Sequence, residues 1–189
     1  MPDIYRAFIA LTLPPPVREH LAGVQGCLSG QGIRARWVRP ESMHLTLKFL
    51  GSLPAETVPA VVTALTPVAG GCPPLNLTTG ALGAFPSRRK ARVLWMGLGG
   101  EGDRLAALQQ AVEAALRPLG WTPQKRPFRG HLTLARAKGR GRFPDGIHSC
   151  LTQCQPAAAV TFRAAWLTLY RSRLRPEGAL YDALHQWRL

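Results

Sequence analysis

The tetrad His-Leu-Thr-Leu stands at 44–47 within ESMHLTLKFLG (41–51) and again at 131–134 within FRGHLTLARAKG (128–139), 131 − 44 = 87 residues further on. In a strand, alternate side chains point to opposite faces. Each copy therefore turns two leucines to a core (Leu45 and Leu47; Leu132 and Leu134) and sets a histidine beside a threonine on the other face. His44 with Thr46, and His131 with Thr133, are two small polar devices on rigid backbone.

Working outward, YRAFIALTL (5–13) reads as a buried strand, ended by Pro14-Pro15-Pro16. Val17, Leu21, Val24 and Leu28 recur at helical spacing over 17–29, with Gly30 and Gly32 as a stop. Trp37-Val38 is a short extended piece before the first tetrad. A second helix runs from Pro54 through Val58, Val61, Val62 and Leu65 to Gly70-Gly71. Residues 75–85 and 91–98 are two strands, and 102–117 a third helix, with Leu105, Leu108, Val112 and Leu116 on one face. A basic loop, QKRPFRG (124–130), leads into the second tetrad. Beyond it lie a short helix near 147–154, one strand over 159–172, and a tail that can be strand or helix and is taken as a final strand.

Each half of the chain holds one tetrad among helices and strands, so internal duplication is the economical account. The fold class expected is α+β in a single bilobal domain over 1–189. Each of its two similar lobes is an antiparallel sheet with helices on its outer face, and a pseudo-two-fold relates them around a central cleft.

The composition is that of a globular chain: 46% hydrophobic and 18% charged. Lys and Arg number 24 against 10 Asp and Glu, a net +14, and the excess is mostly arginine. Compositional bias toward Ala, Arg, Gly and Pro explains part of it, but so few acids point to a polyanion partner such as nucleic acid. The basic groups cluster at Arg34/Arg36/Arg39, Arg88/Arg89/Lys90, Lys125/Arg126/Arg129, Lys138/Arg140/Arg142 and Arg171/Arg173/Arg175; some are expected to line the cleft and others to be plain solvated arginines. IYRAFIALTLPPP (4–16) lacks the basic start and small-residue cleavage site of a signal peptide, and no apolar stretch reaches the roughly 20 residues that span a bilayer. Cytoplasmic localisation without membrane contact is expected. Cys27, Cys72, Cys150 and Cys154 form no CxxC pair and are expected as thiols. A zinc site from His148, Cys150 and Cys154 lacks a fourth ligand, and no metal or other cofactor is expected.

Two histidines across a cleft suit acid–base catalysis near neutral pH. One neutral imidazole takes a proton from a nucleophile while the opposite imidazolium gives one to a leaving group. In-line displacement at phosphorus places nucleophile and leaving oxygen on opposite sides, which calls for a base and an acid on opposite sides. The threonine hydroxyls can hydrogen-bond the non-bridging oxygens, and a cationic cleft stabilises their charge.

The chain resembles the two-histidine (2H) phosphoesterases, defined by two His-x-Thr-x motifs in a duplicated α+β fold. More closely it is similar to the bacterial and archaeal RNA 2′,3′-cyclic phosphodiesterases, formerly described as 2′–5′ RNA ligases. The similarity runs nearly end to end, through 6–14, 37–51, 91–100, 128–139 and 167–184. It implies hydrolysis of an RNA terminal 2′,3′-cyclic phosphate to a 2′-phosphomonoester, with RNA as partner and the protein a monomer. His44 would be the proton donor, His131 the proton acceptor, and Thr46 and Thr133 the holders of phosphate oxygens. Arg136 is a candidate phosphate contact; it falls off the 131/133/135 alternation, so a kink or bulge is needed to bring it round. Arg129 joins it as a substrate contact, and Phe49 or Trp37 is a candidate to stack a base. Gly130 stands where many relatives carry proline, which loosens the approach to the strand. The alternatives are the reverse chemistry, 2′–5′ ligation of tRNA halves, and a basic RNA-binding module without catalysis.

Overall fold

Pro14 closes the first strand, β1 (Ile4–Thr12), and Pro15 and Pro16 open helix α1 (Pro15–Gly30). The helix starts two residues before the apolar periodicity does, because proline lacks only an N–H that the first turn leaves unpaired anyway. The computed structural model describes residues 3–87, 89–139, 141–175 and 178–189. After α1 come β2 (Arg36–Trp37), β3 (His44–Pro54), α2 (Val58–Gly70), β4 (Leu75–Phe85), β5 (Val93–Gly100) and α3 (Gly102–Leu116). They are followed by β6 (His131–Arg136), α4 (Ile147–Gln153), β7 (Thr161–Ala164), β8 (Trp166–Arg175) and β9 (Gly178–Arg188).

Among the described residues these strands make two antiparallel sheets, β3-β1-β8-β9 and β2-β6-β5-β4-β7. Fold class and sheet type are those expected, but the lobes are not the two halves of the chain. The C-terminal strands β8 and β9 return to the sheet of β1 and β3, and β2 crosses to pair with β6. The helices interlock similarly: α1 follows a strand of the first sheet yet packs on β6 of the second, while α3 follows β5 of the second and packs on β3 of the first. The single strand expected over 159–172 is two strands, one in each sheet, parted at Ala165. The run TFRAAWLTL offers no turn residue to mark the break.

The apolar faces of α1 (Val17, Leu21, Val24, Leu28), α2 (Val61, Leu65, Ala69) and α3 (Leu105, Leu108, Val112, Leu116) are buried, as are all four tetrad leucines. Gly130 is half-buried beside α3. A Cβ there would stand 2.9 Å from the Leu105 side chain.

One disulfide corrects the expectation of four thiols. Cys27, near the end of α1, is bonded to Cys154, which caps α4, with Cα atoms 5.7 Å apart. Cys72 and Cys150 are free. The bridge ties together two helices that cover the same sheet and takes Cys154 out of any metal site.

Candidate active site

β3 and β6, one from each sheet, lie against each other at the seam. Each begins with its histidine, and each histidine is anchored in the same way. His44 Nδ1 bonds the Ser42 carbonyl at 2.8 Å and His131 Nδ1 bonds the Arg129 carbonyl at 2.7 Å. A carbonyl only accepts, so Nδ1 carries the hydrogen, and in the neutral ring Nε2 is left as the basic atom.

Both tetrads are also bulged at the same place. Ala10 and Ile9 of β1 face Thr46 and Lys48, which leaves Leu47 as the extra residue; Trp95 and Leu94 of β5 face Thr133 and Ala135, which leaves Leu134. A bulge reverses the alternation beyond it. Arg136 is thereby carried to the face of His131 and Thr133, by the irregularity its position called for. The equivalent shift in β3 puts Phe49 on the face of His44, opposite Phe8. The carbonyl of Leu134 receives Gln25 Nε2 at 2.7 Å and Val38 N–H at 2.9 Å. A further extra residue in β3, Leu50, has its carbonyl bonded by Trp121 Nε1 at 2.9 Å.

Aromatic rings wall in both imidazoles. Phe8 lies 4.6 Å from His44 between centroids and Tyr181 meets it edge-on at 5.1 Å. Phe85 meets His131 edge-on at 5.0 Å, with Trp95 at 6.2 Å. Gly83 makes the space for Trp95, since a Cβ there would fall 2.3 Å from the indole.

Burial is the main reason that His44 is pushed down to about 4; the charges of Arg136 and His131 push the same way, and the bond to Ser42 opposes them. His131 is also held below the usual histidine range, by burial first and then by the charges of Arg136 and Arg129. Burial raises the Tyr181 phenol, while Arg136 and Arg6 act against it. The Arg136 charge thus bears on both histidines and on Tyr181.

The remaining candidates divide. Thr46 and Thr133 lie beside their histidines on the seam face, half-buried. Phe49 is 55% exposed at the rim, whereas Trp37 packs against the core. The Arg129 guanidinium sits 4.7 Å over the Trp95 ring. Arg171 lies over Tyr5, and Arg173 pairs with Asp182 at 2.6 Å. Both project from β8 on the face opposite Tyr170, which stacks on Phe8 on the histidine side. Arg88 and Arg140 lie outside the described residues. No group of three or more His, Cys, Asp or Glu is placed to hold a metal ion among the described residues, and no helix among them is long and apolar enough to cross a membrane.

Sequence reading missed the aromatic wall (Phe8, Tyr170, Tyr181, Phe85, Trp95), although Phe8 was legible from the Arg6-Phe8-Ala10-Thr12 alternation of β1. It also missed Lys48, only 3% exposed, whose Nζ lies 2.5 Å from Glu113 and 2.6 Å from the Thr122 carbonyl. That buried pair ties the bulged strand to α3 and to the loop leading toward His131.

Two antiparallel sheets meeting at a seam, each giving one carbonyl-anchored histidine with a threonine beside it, define a two-histidine phosphoesterase. The chain belongs to the LigT-like phosphoesterase family, whose pattern matches residues 11–95 and 99–181, one tetrad in each stretch. A curated relative from Archaeoglobus fulgidus, named RNA 2′,3′-cyclic phosphodiesterase, is 34% identical over 95% of this chain and 97% of its own. One of the same name from Methanothermobacter thermautotrophicus is 28% identical over 97% and 98%. Among solved structures, Thermus thermophilus TT0787 superposes with a TM-score of 0.80 at 29% identity, covering 97% of both chains. Escherichia coli LigT complexed with 3′-AMP does so at 0.77 and 25% identity, covering 99% of both.

Proposed function

We propose that this chain is an RNA 2′,3′-cyclic phosphodiesterase that leaves a 2′-phosphomonoester. His131 Nε2 takes a proton from water as the water oxygen attacks phosphorus. The bond from phosphorus to O3′ breaks in line, and His44 gives a proton from Nε2 to O3′, restoring the 3′-hydroxyl. Thr46, Thr133 and Arg136 hold the non-bridging oxygens, where charge builds up. Arg129 adds a cation on the His131 side, and Phe49 offers its exposed ring to a base.

The observation that carries this reading is the matched pair of imidazoles, one from each sheet, each with Nδ1 committed to a carbonyl and Nε2 left for chemistry. The relatives' shared name supports the substrate class. The proposal extends to a cytoplasmic monomer that takes RNA ends as substrate and needs no metal.

An oligoribonucleotide ending in a 2′,3′-cyclic phosphate tests it. The product should be the 2′-monoester, turnover should be unaffected by EDTA, and His44→Ala or His131→Ala should abolish turnover while RNA binding persists. Full turnover by the double histidine variant, or a 3′-monoester product, refutes it.

A further inference from the structure

The tip of the β4–β5 hairpin starts at the active site and ends at a second basic feature. Phe85, whose ring meets His131, is the last residue of β4. Beyond it, Arg92 N–H returns to the Phe85 carbonyl at 2.7 Å. The tip is laced to the segment that follows β6: Ala137 N–H bonds the Arg92 carbonyl, Phe143 N–H bonds the Ala91 carbonyl, and Arg92 Nε bonds the Gly141 carbonyl. Phe143, Ile147 and Leu151 are buried beneath this segment, and the Cys27–Cys154 bridge holds the far end of α4. Between tip and segment lies an open groove of about 700 Å³, lined by Arg89, Lys90, Arg142, Asp145, Gly146 and His148. Asp145, the one acid among the described lining residues, stands 3.9 Å from Arg142, and both side chains are well exposed.

We infer that this groove is a docking track for the RNA backbone on the 5′ side of the reacting end, so that the protein prefers cyclic phosphates on RNA chains to those on very short fragments. This rests on the activity proposed above. Three cations on exposed stems, with no buried donor among the described lining residues, suit a run of phosphates rather than a single ion. The location suits the same partner. Four residue steps lead from Phe85 to Arg89, at most about 14 Å of chain, which matches the rise of about four stacked nucleotides. A strand whose cyclic 3′ end sits between the histidines and which runs past Phe85 in its 5′ direction would meet the groove within that distance. The +14 net charge makes long-range attraction of such a strand general; the groove gives it one path.

The test compares a dinucleotide and an oligoribonucleotide of about twelve residues, both ending in 2′,3′-cyclic phosphate, on the wild type and on Arg89→Gln/Lys90→Gln/Arg142→Gln. The triple variant should lower kcat/KM for the longer RNA about tenfold at low salt, since three exposed cations of modest individual strength are removed. Dinucleotide turnover should stay within about twofold. The logarithmic salt dependence for the longer RNA should flatten by about 2, at ~0.7 for each single-strand phosphate that is no longer neutralised. Equal effects on both substrates, or none on the longer one, overturn the track. Binding of a twelve-residue RNA with an unreactive 3′-phosphate, followed by fluorescence anisotropy, separates the two proposals. If the wild type hydrolyses neither substrate but the triple variant loses binding, the activity falls and the track stands. If turnover occurs and binding is unchanged by the triple variant, the track falls and the activity stands.

Discussion

Arg136→Gln removes one charge from a face that it shares with both histidines, and in the proposed reaction it acts through the proton that each must carry. His44 sits at about 4 against an ordinary 6.5. Charging its ring in the free protein therefore costs about 3 kcal/mol more than in water. At pH 7 about one molecule in a thousand carries that proton, and the anionic phosphodiester must supply the missing stabilisation on binding. Because His131 is also held below 6.5, the free protein has one ring charged and one neutral most often below pH 6.5. Above that, kcat/KM falls tenfold per pH unit. Arg136→Gln lifts both histidines and so moves this alkaline limb to higher pH. Its maximum drops by about 10²-fold, the usual scale for losing a donor to a charge that develops in the transition state. Arg136→Lys keeps the charge and the limb but loses the planar fork, so only the maximum falls. The assay is kcat/KM from pH 4.5 to 9 on a dinucleotide cyclic phosphate at constant ionic strength. An alkaline limb in the same place for Arg136→Gln and wild type would refute the electrostatic argument.

Lys48→Met leaves Glu113, 7% exposed, as a buried carboxylate without its cation. A loss of about 3–5 kcal/mol is expected in urea denaturation, and Lys48→Met/Glu113→Gln, with no charge left to bury, should recover most of it. A single variant within about 1 kcal/mol of wild type would show that the pair is not what holds this region. Cys27→Ser opens a bridge that spans 127 residues of sequence. It should cost about 2–4 kcal/mol and make the denaturation curve insensitive to reductant, whereas the wild type should shift on reduction.

What the sequence exposed was whatever depends on local repetition. HLTL alternation placed both histidines and threonines, helical spacing found the buried faces of α1, α2 and α3, and the off-parity position of Arg136 foretold a bulge. No such conflict marks β3, where plain alternation turns Lys48 outward and Phe49 inward and the bulge reverses both. Pairings between distant segments leave no such mark. The spacing of Cys27 and Cys154 says nothing until α1 and α4 are known to cover one sheet. Nor does the alternation of 159–172 reveal that the strand changes sheets at Ala165. Lys48 was hidden for a different reason. Its partner Glu113 lies on a helix whose face reads as apolar, and only the fold brings the two charges together.

The offset of 87 residues relates more than the tetrads. It relates the anchoring carbonyls of Ser42 and Arg129, the extra residues Leu47 and Leu134, and the positions just past each bulge, Phe49 and Arg136. Up to the bulge the two half-sites are near copies; past it they part, with a benzyl ring on one side and a guanidinium on the other. Two identical halves would give a cleft with no direction, receiving a strand of RNA equally well either way round. The fifth residue after each histidine breaks that tie. It gives the seam a head and a tail, which the proposed reaction would use to run opposite proton transfers on its two sides.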